Sequence, residues 1–318
     1  KETNNNFFQH DVKELFNYLF SIEELTEDEK KNRVKKFRKT QTTDHFKKLF
    51  INTLVNIHSQ TQGNIQERVA ALFSELNYDY LIFAHLHSPY FRHKIFALKI
   101  ISEFKLKGYD KYILKLTKRR NDVLHSEAIV TLLKLGVYSD LKFLTDLKLK
   151  LTLWDINVIV KTIEELEKKD LNYKLLLDST IPEISTLGII FIRLHNKIEF
   201  KNDVLLKLGH PNDLINEEAF ATYISFASNQ ADYNLLIDKF NLAPPKAQVN
   251  IIQLMKLSSD TEKTIQFLNG VVLNMPFTQK IEAIRLLLDI DFNIVAKYKQ
   301  SEDEIIRQSC LHVLDINL

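Results

Sequence analysis

The chain is poor in the residues that turn and staple a polypeptide. Six glycines and six prolines are spread over 318 residues, too few for the tight turns of a many-stranded all-β fold. One cysteine, Cys310, excludes an internal disulfide framework and fits a reducing compartment. No stretch reaches the ~18 consecutive apolar residues of a membrane-spanning helix, and residues 1–20 lack the layout of a signal peptide. The expected location is therefore cytoplasmic. The sequence starts at Lys1, so tethering to a membrane by residues upstream stays open. A glycine-rich phosphate loop, a nucleophile elbow, paired zinc-protease histidines and a zinc-type CxxC set are all missing. No cofactor or metal is expected.

Apolar residues make up 45% of the chain, enough to bury a substantial core. The net charge is only +2, yet it is polarised. Residues 1–150 carry 26 Lys and Arg against 18 Asp and Glu, whereas residues 151–318 carry 17 against 23. A uniformly basic nucleic-acid protein would not divide in this way.

Proline fixes φ and lacks an amide hydrogen, so it suits the first turn of a helix and damages the middle of one. Pro89, Pro182, Pro211, Pro244, Pro245 and Pro276 each stand just ahead of a run in which apolar residues return every three or four positions. Pro89 and Pro182 are 93 residues apart, three steps of 31, and the vacant places hold "NDVL" at Asn121 and "LWDI" at Leu153. A core-facing position can be followed through Ala71, Ile95, Ala128, Val158, Gly188, Ala219, Val249, Ala283 and Cys310, at intervals of 24 to 34 residues. A period near 30 is the signature of stacked repeats, each burying its apolar face against its neighbours.

The clearest unit is residues 121–147. Leu124, Ala128, Leu132 and Leu135 form one stripe, Asn121 or Asp122 can cap its start, and Gly136 can take the left-handed cap conformation. Asp140 can then cap a second helix carrying Phe143, Leu144 and Leu147. Second helices recur from Asp110, Asn172, Ala231 and Thr261. The layout resembles the short bacterial HEAT-like repeats, in which a basic residue stands three positions before a small one. Here Arg68, Arg92, His125, Lys280 and Arg307 hold that place, while Asp155, Ser185 and Asn216 interrupt the ladder. The resemblance covers residues 64–318. It implies an all-α, right-handed α-α superhelix of about eight helix pairs over 63–318, and it is specific for architecture rather than activity.

Residues 1–62 follow another rhythm and are expected to form an N-terminal helical cap, which solenoid ends need to cover an apolar face. Val12, Leu15, Phe16 and Leu19 make one stripe; Phe46, Leu49, Phe50, Thr53, Leu54 and Ile57 make another, capped by Thr43 or Asp44. Between them, Thr26 to Glu29 has the spacing of a capping box and leads into Val34 and Phe37.

Two basic sets are the candidate partner sites. Lys30, Lys31, Arg33, Lys35, Lys36, Arg38 and Lys39 follow the acidic Glu23, Glu24, Glu27, Asp28 and Glu29. They suit a phosphate backbone, an anionic membrane or an acidic protein, or else a solvated face whose charges pair locally. Lys111, Lys115 and Lys118 share a stripe at i, i+4 and i+7, with Arg119 at its end and Lys148 one repeat later. The resemblance would aim this stripe at a bound partner on the concave face; solubility alone also explains lysines on a wet helix. His85, His87 and His93 are the one close histidine group, but His85 and His87 would diverge on a helix and further ligands are not evident. Asp289 and Asp291 are expected to cap and solvate a helix end, and Cys310 to be buried.

The expected function is a non-enzymatic scaffold that binds a partner protein on the concave face. A HEAT-like nucleic-acid binder or DNA glycosylase is one alternative. Such glycosylases need tryptophans and an aspartate in a basic groove; here Trp154 and Asp155 stand ahead of a net-acidic half that repels phosphate. Trp154 is instead expected to pack between units at a helix start. A membrane-anchored accessory protein of bacterial envelope or polysaccharide machinery is the other alternative. No small-molecule substrate is evident.

Overall fold

A computed structural model describes residues 2–21, 25–40, 43–118, 122–137, 141–147 and 150–315. Among them every regular element is helical, and the fold is all-α. The helices are α1 (Glu2–Ser21), α2 (Glu27–Thr40), α3 (Asp44–Gln60), α4 (Asn64–Leu76), α5 (Asp79–His87), α6 (Phe91–Glu103) and α7 (Asp110–Leu116). Next come α8 (Asp122–Leu135), α9 (Lys142–Thr145), α10 (Leu153–Glu165), α11 (Tyr173–Leu177), α12 (Pro182–Leu194) and α13 (Lys201–Leu205). The last are α14 (Asp213–Phe226), α15 (Gln230–Asp238), α16 (Pro245–Leu254), α17 (Thr261–Asn274), α18 (Phe277–Ile290), α19 (Phe292–Tyr298) and α20 (Glu304–Leu314).

The punctuation acts as its chemistry requires. Pro182 and Pro245 open their helices, Pro244 and Pro276 are N-caps, and Pro89 and Pro211 stand two residues ahead of α6 and α14. Thr26 and Glu29 close the expected capping box: the Thr26 amide donates to the Glu29 carboxylate at 2.8 Å and the Glu29 amide to the Thr26 hydroxyl at 3.4 Å. Thr43, not Asp44, caps α3. Gly136 takes the left-handed conformation after α8, with φ 67°. Asp291 caps α19 by accepting from the Asn293 amide at 2.8 Å. Asn121, Asp140, Glu23 and Glu24 lie outside the described residues.

The chain divides into two compact units, Lys1–Ser139 with 147–149 and 153–168, and 140–146 with 150–152 and Lys169–Leu318. In the first, α1 and α2 pack on α4, α3 packs on α4 and α6, and α6, α8 and α10 pack in succession. The rings of Tyr18, Phe37 and Phe50 join α1, α2 and α3 in one core. In the second unit α12, α14, α16, α18 and α20 pack in succession. Helices dock on the ones that follow them: α5 on α6 and α7 on α8 in the first unit, α11 on α12, α13 on α14, α15 on α16 and α17 on α18 in the second, the first of each pair being the shorter except α17, which matches α18 at 14 residues. The sequence pairs each long helix with the short one after it; in these cases the packed hairpin is instead the helix with the long one that follows, while α19 keeps the expected order and packs chiefly on α18 before it.

One bond explains this framing. The fourth residue of a long helix, or the third in α4, reaches back eight positions to a carbonyl at the end of the preceding helix. Gln66 bonds His58 O at 3.2 Å, Lys94 bonds Leu86 O at 2.8 Å and His125 Nδ1 bonds Thr117 O at 2.5 Å. Ser185 bonds Leu177 O at 2.8 Å, Gln248 bonds Phe240 O at 3.3 Å and Lys280 bonds Val272 O. Carbonyls in the last turn of a helix lack the next turn's amide, and a side-chain donor satisfies one of them; the Phe240 carbonyl differs in also accepting the Ala243 amide at 3.1 Å. Three residues on stands the core position, where the two backbones come together. At Gly188 an added Cβ would lie 2.7 Å from the Leu177 amide nitrogen.

This bond corrects the repeat register at three places. Ala71 is exposed, and Ile95 and Val249 are only partly buried. The buried equivalents are Val69, Ala97 and Ile251, each three residues past a bonding side chain. The corrected series runs 69, 97, 128, 158, 188, 219, 251, 283 and 310, at intervals of 27 to 32, with Val158 itself only partly buried beside the buried Ile159. Arg68 and Arg92 thus leave the ladder: Arg68 instead donates to Leu19 O at 2.8 Å and Arg92 is exposed. The position requires a polar reach, not a positive charge, so Ser185 does not interrupt it.

Ala128 is fully buried and Lys35 is exposed. Ala128→Asp is expected to lower stability by about 3 kcal/mol or more, because it buries a charge without a partner. Lys35→Glu should stay within about 0.5 kcal/mol of the parent. Urea unfolding of both variants checks this; the opposite order would invert the assigned inside and outside.

Candidate functional site

The basic helix α2 is anchored by Val34 and Phe37, both buried, which turns most of its lysines outward. Lys30 pairs with Glu27 at 2.7 Å, Lys36 with Glu14 at 3.0 Å, and Arg38 donates to Glu75 O. Lys31, Arg33, Lys35 and Lys39 have no carboxylate within ion-pair distance among the described residues. Local pairing therefore neutralises part of this segment and leaves a cationic face.

The stripe on α7 has a neighbour that the sequence reading passed over. Lys111, Lys115 and Lys118 are exposed, and none has an ion-pair partner among the described residues. Lys115 lies over the Tyr112 ring at 5.8 Å. Tyr112 meets Phe83 and His87 of α5, with ring centroids 5.9 and 5.0 Å away, and Phe83 and His87 are themselves 4.1 Å apart. Phe83 remains 48% exposed and Tyr112 39%. Large rings left this accessible while already packed edge to face are preorganised for contact and lose little side-chain freedom on binding. The sequence signal was present: Phe83 and His87 at i and i+4, with Tyr112 among lysines 29 residues later. Arg119 and Lys148 lie outside the described residues.

The three histidines part company. His87 faces the surface with Nδ1 donating to Phe83 O at 2.9 Å, while His85 turns inward against His93 and Phe96. His93 Nδ1 is engaged by the Ser88 hydroxyl at 2.9 Å. Among the described residues no three His, Cys, Asp or Glu side chains gather in a metal-binding arrangement. Burial pushes the His85 pKa down to about 4, with Lys48 and His93 adding to the effect, and its Nε2 is buried without a partner.

Trp154 and Asp155 share no surface. Trp154 is 70% exposed at the start of α10, not packed between units, because only one side of that first turn meets neighbouring helices. Asp155 is buried and accepts the Ser126 hydroxyl. In the second unit Lys201, Asp232 and Tyr223 form a polar cluster, with Lys201 to Asp232 at 2.6 Å and the Tyr223 hydroxyl donating to Asp232 at 3.1 Å. Burial pushes the Asp232 carboxyl up, but Lys201, the Ser228 amide and Tyr223 outweigh it and hold the group below the usual range. All its groups are spent on one another, as in a structural tie. A groove of about 410 Å³ between α15 and α17 is lined by Phe240, Phe267 and Gly270 together with the polar Asn241, Gln266 and Asn274. Cys310 is buried, as expected.

No described helix is long and apolar enough to cross a membrane. Comparison with known proteins adds no relative: no family model and no curated protein matches the chain.

His85 predicts a pH dependence. Its folded pKa lies below the ordinary 6.5, so the unfolded chain takes up a proton first and stability falls as pH drops from about 6.5 towards 4. The loss is on the order of 2 kcal/mol. Urea unfolding between pH 7.5 and 4.5 should show a shallower decline in His85→Leu than in the parent; equal slopes would remove His85 as the cause.

Proposed function

We propose that the protein is a non-enzymatic docking scaffold whose helix pairs follow the right-handed α-α superhelix of HEAT-like repeats, with α1 to α3 covering the N-terminal end. What supports the architecture is the recurrence of one side chain to carbonyl bond and one core position about every 30 residues. The partner is a protein segment rich in Asp and Glu that docks on α5 and α7. The observation that carries this reading is the exposed Phe83, His87 and Tyr112 cluster beside lysines with no acidic partner among the described residues. Aromatic rings supply the desolvated anchor, and Lys111, Lys115 and Lys118 supply complementary charge and a salt-dependent association rate.

The same rings and lysines favour a second reading, stacking on single-stranded nucleic acid, whose bases pack on aromatic faces beside cations. Affinity capture from the native cell with the intact chain separates the two. Proteins held by the parent should be lost with Tyr112→Ala, at a cost of about tenfold or more in affinity, and with the triple change of Lys111, Lys115 and Lys118 to Glu, while Trp154→Ala retains them. Retention unchanged by both α7 variants would overturn the docking surface, and a gel shift of a single-stranded oligonucleotide abolished by Tyr112→Ala would replace the protein partner with nucleic acid.

A further inference from the structure

The second unit carries a site of its own along α17. Of the six glycines in the chain, five have a reason within it. Gly63, Gly108, Gly136 and Gly209 take positive φ, and Gly188 lies where a Cβ would meet the Leu177 backbone. Gly270 has neither: it sits inside the helix, and a Cβ added there would meet nothing within 4 Å. Glycine within a helix is less stable than alanine, so the fold alone would favour alanine here. The missing side chain leaves instead an open place in the groove of about 410 Å³ between α15 and α17.

Gln266, Gly270 and Asn274 stand at i, i+4 and i+8 and form one stripe on α17. Two primary amides thus flank the bare glycine, about 12 Å apart along the axis. Gln266 is exposed and makes no hydrogen bond among the described residues. The Asn274 side-chain amide donates to Gly270 O at 3.0 Å, which fixes it and leaves its Oδ1 to accept. Beside the glycine, the Phe240 and Phe267 rings meet edge to face with centroids 4.9 Å apart. No charged side chain lines the groove. A peptide main chain offers a donor and an acceptor at each residue, as a primary amide does, and advances about 3.3 Å per residue when extended, so about four residues span the stripe. We propose that this groove binds an extended, uncharged peptide segment of a partner protein. Its main chain bonds Gln266 and Asn274, and one apolar side chain enters over Gly270 against the rings of Phe240 and Phe267. A charged side chain there would lose its water without gaining an opposite charge. The segment therefore differs from the acidic one assigned to α5 and α7.

Pools of dye-tagged, C-terminally amidated hexapeptides, each fixing one residue type at one position, test this when titrated against the intact chain by fluorescence polarisation. Pools with Leu or Phe at a central position should bind, and those with Asp, Glu, Lys or Arg there should bind about tenfold more weakly or worse. Gly270→Leu, which fills the open place, should weaken the best pool about tenfold or more, and Gln266→Leu combined with Asn274→Leu about tenfold. Gly270→Ala separates the site from the fold: its melting temperature should rise by about 2 °C while binding falls about threefold. Tyr112→Ala should leave binding intact, so this groove and the α7 surface fail or stand separately. No pool binding below about 1 mM would overturn the site. So would binding that Gly270→Leu leaves unchanged, a melting temperature lowered by Gly270→Ala, or a preference for acidic pools that Tyr112→Ala abolishes.

Discussion

The structure depends on what happens at the end of a short helix. Helices of five to nine residues, such as α7, α11 and α15, are too short to hold themselves together in water. Each ends in carbonyls that need donors. The long helix that follows supplies one, from a side chain near its own start, and then places a small or slim residue where the two backbones meet. Lys94, His125, Ser185 and Gln248 make this bond behind short helices, and Gln66 and Lys280 make it to the ends of the longer α3 and α17, with different chemistry but the same reach. Asn216 varies the theme: it accepts from the Gly209 amide at 2.8 Å and donates forward to Leu242 O at 2.9 Å.

Docking by one side leaves the other side of each short helix free. On α5 and α7 that free side carries Phe83, His87, Tyr112 and Lys115. The proposed docking surface thus lies on elements held in place from behind, which is what lets exposed rings keep fixed positions.

The helical class, the proline starts, the capping box at Thr26 and the left-handed cap at Gly136 were legible because each rests on local chemistry that a short window contains. The period near 30 was legible as well. Its register was not wholly so: in "ERVAALF" and "FRHKIFALKII" several neighbouring positions could serve as core, and the basic residues Arg68 and Arg92 drew the register two residues away from Val69 and Ala97. A rule framed as charge misses a position whose requirement is a donor of suitable length. The lysines of α7 could be found from spacing alone. Phe83 and His87 at i and i+4 and Tyr112 among the lysines were also visible in the sequence, but their meeting was not, because Phe83 and Tyr112 come together only through the packing of one repeat on the next. The groove at Gly270 joins α15 to α17, a meeting that no local pattern encodes.

The most direct measurement compares two residues that hold the same place in sequence. Lys280 is buried and bonded to Val272 O and Leu273 O, whereas Arg307 is exposed and paired with Glu304. Methionine keeps the length of either side chain and removes its donors. Lys280→Met should lower the unfolding free energy by about 1–3 kcal/mol, and Arg307→Met should leave it unchanged. Equal effects, or no loss at Lys280, would contradict the account that the reach from a long helix to the carbonyl end of the preceding helix holds the repeats together.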